Sequence, residues 1–203
     1  MDVIAALKLN ALSIHFNDDQ SWPLYIQSYP NLSFLGAYSN HSHTYTPSMM
    51  ADLVSFAEVR GVRILPEFDS PSHFGTLGSS YPQFAATTKD GGACLVDPSR
   101  EEVYEFLTAV WTDIAALFPD AQFRIGGDEF QSCWNDCPSV MSWIAKEFGV
   151  NGTIYDAYHY YIRRVIGIMR SLGKTSMVRR IIIINNTLTH THTHTHAAPT
   201  LKI

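Results

Sequence analysis

Three short apolar segments, each ending in carboxylates or histidine, recur through the first 130 residues with helical patterns between them. Ala11-Leu12-Ser13-Ile14-His15-Phe16 runs into Asn17-Asp18-Asp19-Gln20. Val62-Arg63-Ile64-Leu65-Pro66-Glu67-Phe68 runs into Asp69-Ser70-Pro71-Ser72-His73, and Gln122-Phe123-Arg124-Ile125 into Gly126-Gly127-Asp128-Glu129. Alternation of strand and helix points to a parallel sheet with right-handed crossovers, because a parallel neighbour is reached only through a long connection. In such folds chemistry collects where strands end. The repeated acidic exit is therefore the most informative feature of the chain.

The helices are legible between the strands. Residues 2–9 read as the end of a helix, with Val3, Ile4 and Leu7 apolar at helical spacing. Thr46-Pro47 starts a helix with Met50, Leu53, Val54 and Ala57 on one face, and Gly61 stops it. Asp97-Pro98-Ser99 opens another, striped by Val103, Phe106, Leu107, Val110, Ile114 and Leu117 and closed by Pro119-Asp120. Two more are expected over 138–148 and 155–172, the second ending at Gly173. The stretches up to Tyr45 and from Asp69 to Val96, rich in Pro, Ser, Asn, Gly and Thr, read as loops.

Composition bounds the function. Apolar residues make up 46% and charged residues 16% of 203 residues, enough for a buried core and too apolar for global disorder. The balance is 14 Lys+Arg against 19 Asp+Glu. All the charge after Gly173 is basic (Lys174, Arg179, Arg180, Lys202), so residues 1–173 carry −9 and the remainder +4. A nucleic-acid partner gripped by bulk positive charge is excluded. No apolar run reaches the roughly 18–20 residues of a membrane span. Met1-Asp2-Val3-Ile4 has no basic n-region of a signal peptide. The three cysteines (Cys94, Cys133, Cys137) are too few for a disulfide scaffold. A single bridge such as Cys94–Cys133 is a better reading than a zinc site on the Cys133/Cys137 spacing, which lacks a second ligand pair. Four sequons, at Asn31, Asn40, Asn151 and Asn185, fit a secreted protein.

After Ser176 the pattern fails. Ile181-Ile182-Ile183-Ile184 precedes a Thr-His alternation from Thr189 to His196. A CA dinucleotide repeat encodes such an alternation, so residues 175–203 read as a low-complexity tail, disordered or translated from non-coding sequence. In an extended strand its four histidines would face one side, which makes a weak metal-binding tract the functional alternative. The isoleucine run reads as an aggregation liability.

Asp128-Glu129 is the sharpest local signal. Two adjacent carboxylates at the end of a buried strand repel each other, and burial with repulsion raises the pKa of one of them. A raised Glu donates a proton near neutral pH while an ionised neighbour supports positive charge. Gly126 and Gly127 allow a sharp turn and a close approach of ligand. The bland alternative is a Gly-Gly turn with two solvated acids. Asp18-Asp19 reads equally as a turn cap, and Asp69 with His73 as a pair around a rigid turn. Glu67, on an apolar strand, has Arg124 or Arg63 as a partner. Trp111 and Trp143 lie in helices and read as core. Trp22 and Trp134 follow strand-end loops and read as lining a cleft.

Together these segments resemble the family 20 glycoside hydrolases, the β-N-acetylhexosaminidases. Leu9-Asn10 with His15-Phe16-Asn17-Asp18-Asp19-Gln20-Ser21-Trp22-Pro23-Leu24 is similar to one block of that family. Tyr45-Thr46 with Arg60 to His73 looks like a second, and Arg124-Ile125-Gly126-Gly127-Asp128-Glu129 with Cys133-Trp134 like the catalytic block. The resemblance covers about residues 2–174 and implies an α/β fold, a partial (β/α)8 TIM barrel with about half of its strands present. It implies hydrolysis of terminal β-linked N-acetylglucosamine or N-acetylgalactosamine from glycans. Catalysis would be retaining and substrate-assisted, outside the usual two-carboxylate scheme. Glu129 would be the general acid/base, and Asp128 would orient the 2-acetamido group. Asp18, His73 and Trp134 would bind substrate or support the site. No metal or organic cofactor is implied, and the compartment would be lysosomal or secreted.

Two departures are visible. Ser13-Ile14-His15 stands where the family has His-Trp-His, and Pro71-Ser72-His73 where it has Pro-Gly-His. A complete barrel needs about 250 residues, so the first strand and the later strands are expected to be missing from this chain, leaving strand edges unpaired. An inactive truncated or carbohydrate-binding fragment is the alternative reading.

Overall fold

The computed structural model describes residues 1–130 and 132–178, together with the backbone of 201–202. In chain order the elements are α1 (Asp2–Ala6), β1 (Ala11–His15), α2 (Asn31–Gly36), α3 (Pro47–Glu58), β2 (Arg63–Glu67), α4 (Leu77–Ser80), β3 (Ala85–Thr87) and β4 (Ala93–Val96). They continue with α5 (Glu101–Leu117), β5 (Gln122–Arg124), α6 (Pro138–Phe148), α7 (Ile154–Ser171), β6 (Thr175–Met177) and β7 (Leu201–Lys202). The three expected strands and the expected helices are all present, within a few residues of their anticipated ends.

The main sheet is parallel and ordered β6-β5-β2-β1-β7. Strands that follow one another through helices lie side by side, the succession of a (β/α)8 barrel. Leu12 pairs with Ile64 and His15 with Glu67, and Glu67 in turn with Arg124, so the ends of β1, β2 and β5 stand level. That register brings the three acidic exits to one edge. β6 lies within the stretch assigned on sequence to the tail: Thr175, Ser176 and Met177 pair with Gln122, Phe123 and Arg124. The isoleucine run and the Thr-His tract lie outside the described residues.

Helix ends follow local chemistry. Thr46 Oγ1 accepts the amide of Met49 at the start of α3, with Pro47 in the first turn. Thr153 and Asp156 form a reciprocal capping box on α7. The core runs between the sheet and α5 and α7. Val103, Phe106, Leu107, Val110 and Ile114 of α5 are buried as the stripe requires, with Leu117 half-buried and Trp111 also in the core, and Tyr161, Val165 and Met169 of α7 are buried against them. Phe68 stacks on Phe16 at 5.1 Å and meets Trp22 at 5.4 Å.

Both long loops carry structure that their composition hides. The first contains α2, and the second contains α4 and the antiparallel β3–β4 pair. These pieces are three to six residues long, too short to show a periodicity. The disulfide Cys94–Cys133 joins β4 to the loop after β5, and Cys137 is a buried free thiol.

Candidate active site

The strand-end residues meet at the C-terminal edge of the sheet. Asn17, 2% exposed, holds β1 to the loop after β2: its Nδ2 donates to the carbonyls of Asp69 (3.0 Å) and His73 (2.8 Å), and its Oδ1 accepts the Asp69 amide (2.9 Å). His73 is thereby placed between two carboxylates. Its Nδ1 lies 2.9 Å from Asp18 Oδ1 and its Nε2 3.3 Å from Glu129 Oε2. Glu129 opens to solvent, its side chain 74% exposed. His73 and Glu129 both adopt left-handed backbone, φ 57° and 49°, a conformation that side-chain-bearing residues enter at a cost and that concentrates at functional sites.

Behind them is a second layer. Asp69, 1% exposed, accepts the Gly127 amide at Oδ1 (2.8 Å) and hydrogen-bonds to Asp128. Gly126 is required here: a Cβ would lie 1.7 Å from Asp69 Oδ1, and its φ is 63°. Tyr158 of α7 donates its hydroxyl proton to the Gly127 carbonyl at 2.7 Å. Ser72 Oγ donates to the Glu129 carbonyl at 3.3 Å.

This arrangement changes the expected electrostatics. Sequence reasoning put the repelling pair at Asp128 and Glu129, which are adjacent in the chain. Their side chains diverge, one inward and one to solvent, and the close carboxyl contact is Asp69 with Asp128, on neighbouring strands. Burial first, and the Asp128 contact second, push Asp69 up to about 7, against the pull of the Gly127 amide. Burial disfavours His73's charged form, but Asp18, Asp69 and Asp128 outweigh it and hold the imidazole above its ordinary pKa. Burial also works against the Asp18 carboxylate, and the hydrogen bonds from His73 and the Asp19 amide overcome it, holding Asp18 below the usual range.

A third group sits deeper. Glu67, fully buried, meets Arg124 Nε at 2.7 Å, His15 Nδ1 at 2.9 Å and the Ser13 hydroxyl at 3.4 Å. Of the two partners considered for Glu67, Arg124 is the one found. Arg63 instead bonds both Asp120 oxygens at the other end of the sheet.

Trp134 requires a correction. It is fully buried, its indole N–H donates to the Val96 carbonyl at 3.1 Å, and its ring lies 5.0 Å from Phe130. The disulfide beside it and β4 cover it, so it offers no face to a sugar. Trp22 is likewise core, 2% exposed and stacked on Phe74.

His15, Glu67 and Asp69, then Asp18, Asp19 and His73, then Asp69, His73 and Asp128 each bring ligand atoms within 4.8 Å of one another. Hydrogen bonds already engage Asp18 with His73, Asp69 with Asp128 and His15 with Glu67.

Comparison with known proteins follows the same line. The profile of "Glycosyl hydrolase family 20, catalytic domain" matches residues 1–197. The chain belongs to glycosyl hydrolase family 20. Beta-hexosaminidase subunit beta of Rattus norvegicus is 35% identical over 185 residues, 88% of this chain and 34% of the rat protein. The human subunit beta is 34% identical over 185 residues, 88% of this chain and 33% of that protein. The chain thus spans about a third of the length of these curated relatives. Among solved structures, a Flavobacterium johnsoniae chitobiase superposes with TM-score 0.76 at 28% identity, over 87% of this chain and 28% of that one. A Vibrio harveyi family 20 exo-β-N-acetylglucosaminidase, solved with N-acetylglucosamine, gives 0.75 at 26% identity, over 87% and 31%. The four successive parallel strands are accordingly part of the family 20 (β/α)8 barrel.

Proposed function

We propose that the protein carrying these residues is a β-N-acetylhexosaminidase. It removes terminal β-linked N-acetylglucosamine or N-acetylgalactosamine from glycans, with retention, through the substrate's own 2-acetamido group. The observation that carries this reading is His73, held between Asp18 and the solvent-facing Glu129.

Glu129 acts as general acid and then as general base. In the first step its proton passes to the leaving oxygen. The acetamido oxygen bonds to the anomeric carbon as the glycosidic C–O bond breaks. Asp128 takes the acetamido N–H and stabilises the positive charge that forms on the ring. Asp69, protonated to about pH 7, lets Asp128 lie in a buried carboxyl pair without full mutual repulsion. In the second step water adds to the anomeric carbon, Glu129 takes its proton, and the bond from that carbon to the acetamido oxygen breaks. His73 stays protonated to higher pH than an ordinary imidazole, so the Glu129 carboxylate left after the first step faces a donor. Asp18 fixes the ring so that Nε2 points at Glu129.

A nucleophilic carboxylate mechanism needs two carboxyls about 5 Å apart across the sugar. Asp128 is adjacent to Glu129 in sequence and its carboxyl is engaged with Asp69, which favours an orienting role over nucleophilic attack. The disulfide Cys94–Cys133 supports a lysosomal or secreted location, because such bonds persist in oxidising compartments.

The test is a thiazoline mimic of the oxazoline intermediate, titrated against the chain by calorimetry alongside turnover of a chromogenic N-acetyl-β-glucosaminide. Binding is expected, weakened about ten- to a hundred-fold in Asp128→Asn as one charge-assisted hydrogen bond is lost. Glu129→Gln is expected to abolish hydrolysis while binding persists. Labelling by a fluorosugar that traps carboxylate nucleophiles, with no thiazoline affinity, would overturn the mechanism.

A further inference from the structure

We propose that Asn40 carries an N-linked glycan whose first sugar packs over the exposed ring of Tyr38. Asn40-His41-Ser42 is a sequon, and it sits in the connection between α2 and α3. The turn holds its own shape. The His43 amide donates to the Ser39 carbonyl at 3.0 Å, and Ser39 Oγ accepts the amides of His41 and Ser42 at 3.4 and 3.3 Å. None of this uses the Asn40 side chain, whose amide has no hydrogen-bond partner among the described residues.

The surroundings suit a sugar. Tyr38 is 76% exposed two residues before Asn40, and Phe34 and Leu35 at the end of α2 are 58% and 50% exposed. Asn40 and Phe34 line one depression of ≈ 460 Å³ with Tyr25, Thr44 and Thr46, and none of its lining side chains is charged. An exposed apolar patch calls for something to cover it. A neutral pyranose offers an apolar C–H face to the rings and hydroxyls to the threonines. The half-buried disulfide bridge supplies an independent sign of a compartment where glycans are transferred.

Asn31 lines the same depression, but it opens α2 and its Ser33 is buried within that helix. Asn151 precedes the α7 cap with Gly149 two residues before it. Asn185 lies outside the described residues. In the transfer, Asn40 Nδ2 bonds to C1 of the first N-acetylglucosamine of a polyprenyl-pyrophosphate oligosaccharide. The C1–O bond breaks, the lipid pyrophosphate leaves, and one amide proton is lost to base.

The full chain, placed behind a cleavable secretory leader in eukaryotic cells, is treated with peptide-N-glycosidase in heavy-oxygen water and mapped by mass. Asn40 is expected to become labelled aspartate, and Ser42→Ala to abolish the label. Trimming the glycan to its innermost sugar is expected to preserve its gain in Tm, and Tyr38→Ala to remove that gain. Label absent everywhere, or at Asn31 or Asn151 but not Asn40, overturns the site. A gain unchanged in Tyr38→Ala overturns the packing. Transfer precedes folding, so occupancy is read even on a variant that folds poorly.

Discussion

The two ends of the parallel sheet are built on opposite electrostatic plans. At the N-terminal end charges are paired and spread out. Arg63 bonds both oxygens of Asp120 (2.6 and 2.8 Å), and Lys174 Nζ donates to the carbonyls of Phe118 and Asp120 (2.8 and 2.9 Å). At the C-terminal end Asp18, Asp69, Asp128 and Glu129 crowd around the imidazole of His73. The same strands thus carry a satisfied, stabilising end and a like-charged end held together by backbone clamps. That division suits a barrel in which one face maintains the fold and the other does chemistry.

Glycine replacement tests this most sharply. Gly126→Ala drives a methyl into Asp69 and forces a left-handed alanine, so a loss of roughly 2–5 kcal/mol is expected in denaturant melts. Gly61, before β2, has a similar φ of 67° but open space around it, so Gly61→Ala is expected to cost only about 1 kcal/mol. Equal losses would erase the contrast between the ends.

The next largest effect is in pH dependence. Asp69 titrates higher in the folded chain than the usual 3.8, so its contribution is fully present below about pH 3.8 and is lost as pH rises to about 7. His73, raised above 6.5, likewise loses its contribution as pH climbs through its folded value. Asp18, lowered, acts oppositely and loses its contribution only as pH falls below 3.8. Asp69→Asn is expected to flatten the alkaline decline and to stabilise the chain at pH 8 by on the order of 1–3 kcal/mol. An unchanged slope would mean that Asp69 and Asp128 do not share a proton.

Smaller effects belong to the other end. Lys174→Met removes two charge-assisted hydrogen bonds from a half-buried ammonium, for a loss of about 1–2 kcal/mol in thermal melts. Arg63→Ala breaks an ion pair whose arginine is 49% exposed, and should cost less than about 1 kcal/mol, shrinking further in salt.

The strands and long helices were legible because their apolar residues repeat at fixed spacing, as in the α5 stripe. The three acidic exits were legible for the same reason, and the order of the blocks carried the family. The Asp69–Asp128 contact was not, because it depends on β2 and β5 pairing in one register, and only the adjacency of Asp128 and Glu129 was visible. Asn17 was passed over because an asparagine after a strand suggests a turn. Its role as a clamp depends on Asp69 and His73 being brought to it. Trp134 was misjudged because a tryptophan after a strand-end loop has the same local signature whether it faces a cleft or, as here, a disulfide-covered core.

Asp69 has a consequence for how the molecule assembles. Its main chain answers to Asn17 in one direction and its carboxylate to Gly127 in the other. A chain that has joined only its first two strands therefore has one half of this junction and lacks the other. The residue is a keystone between neighbouring strands, and the chemical centre exists only where all three have met.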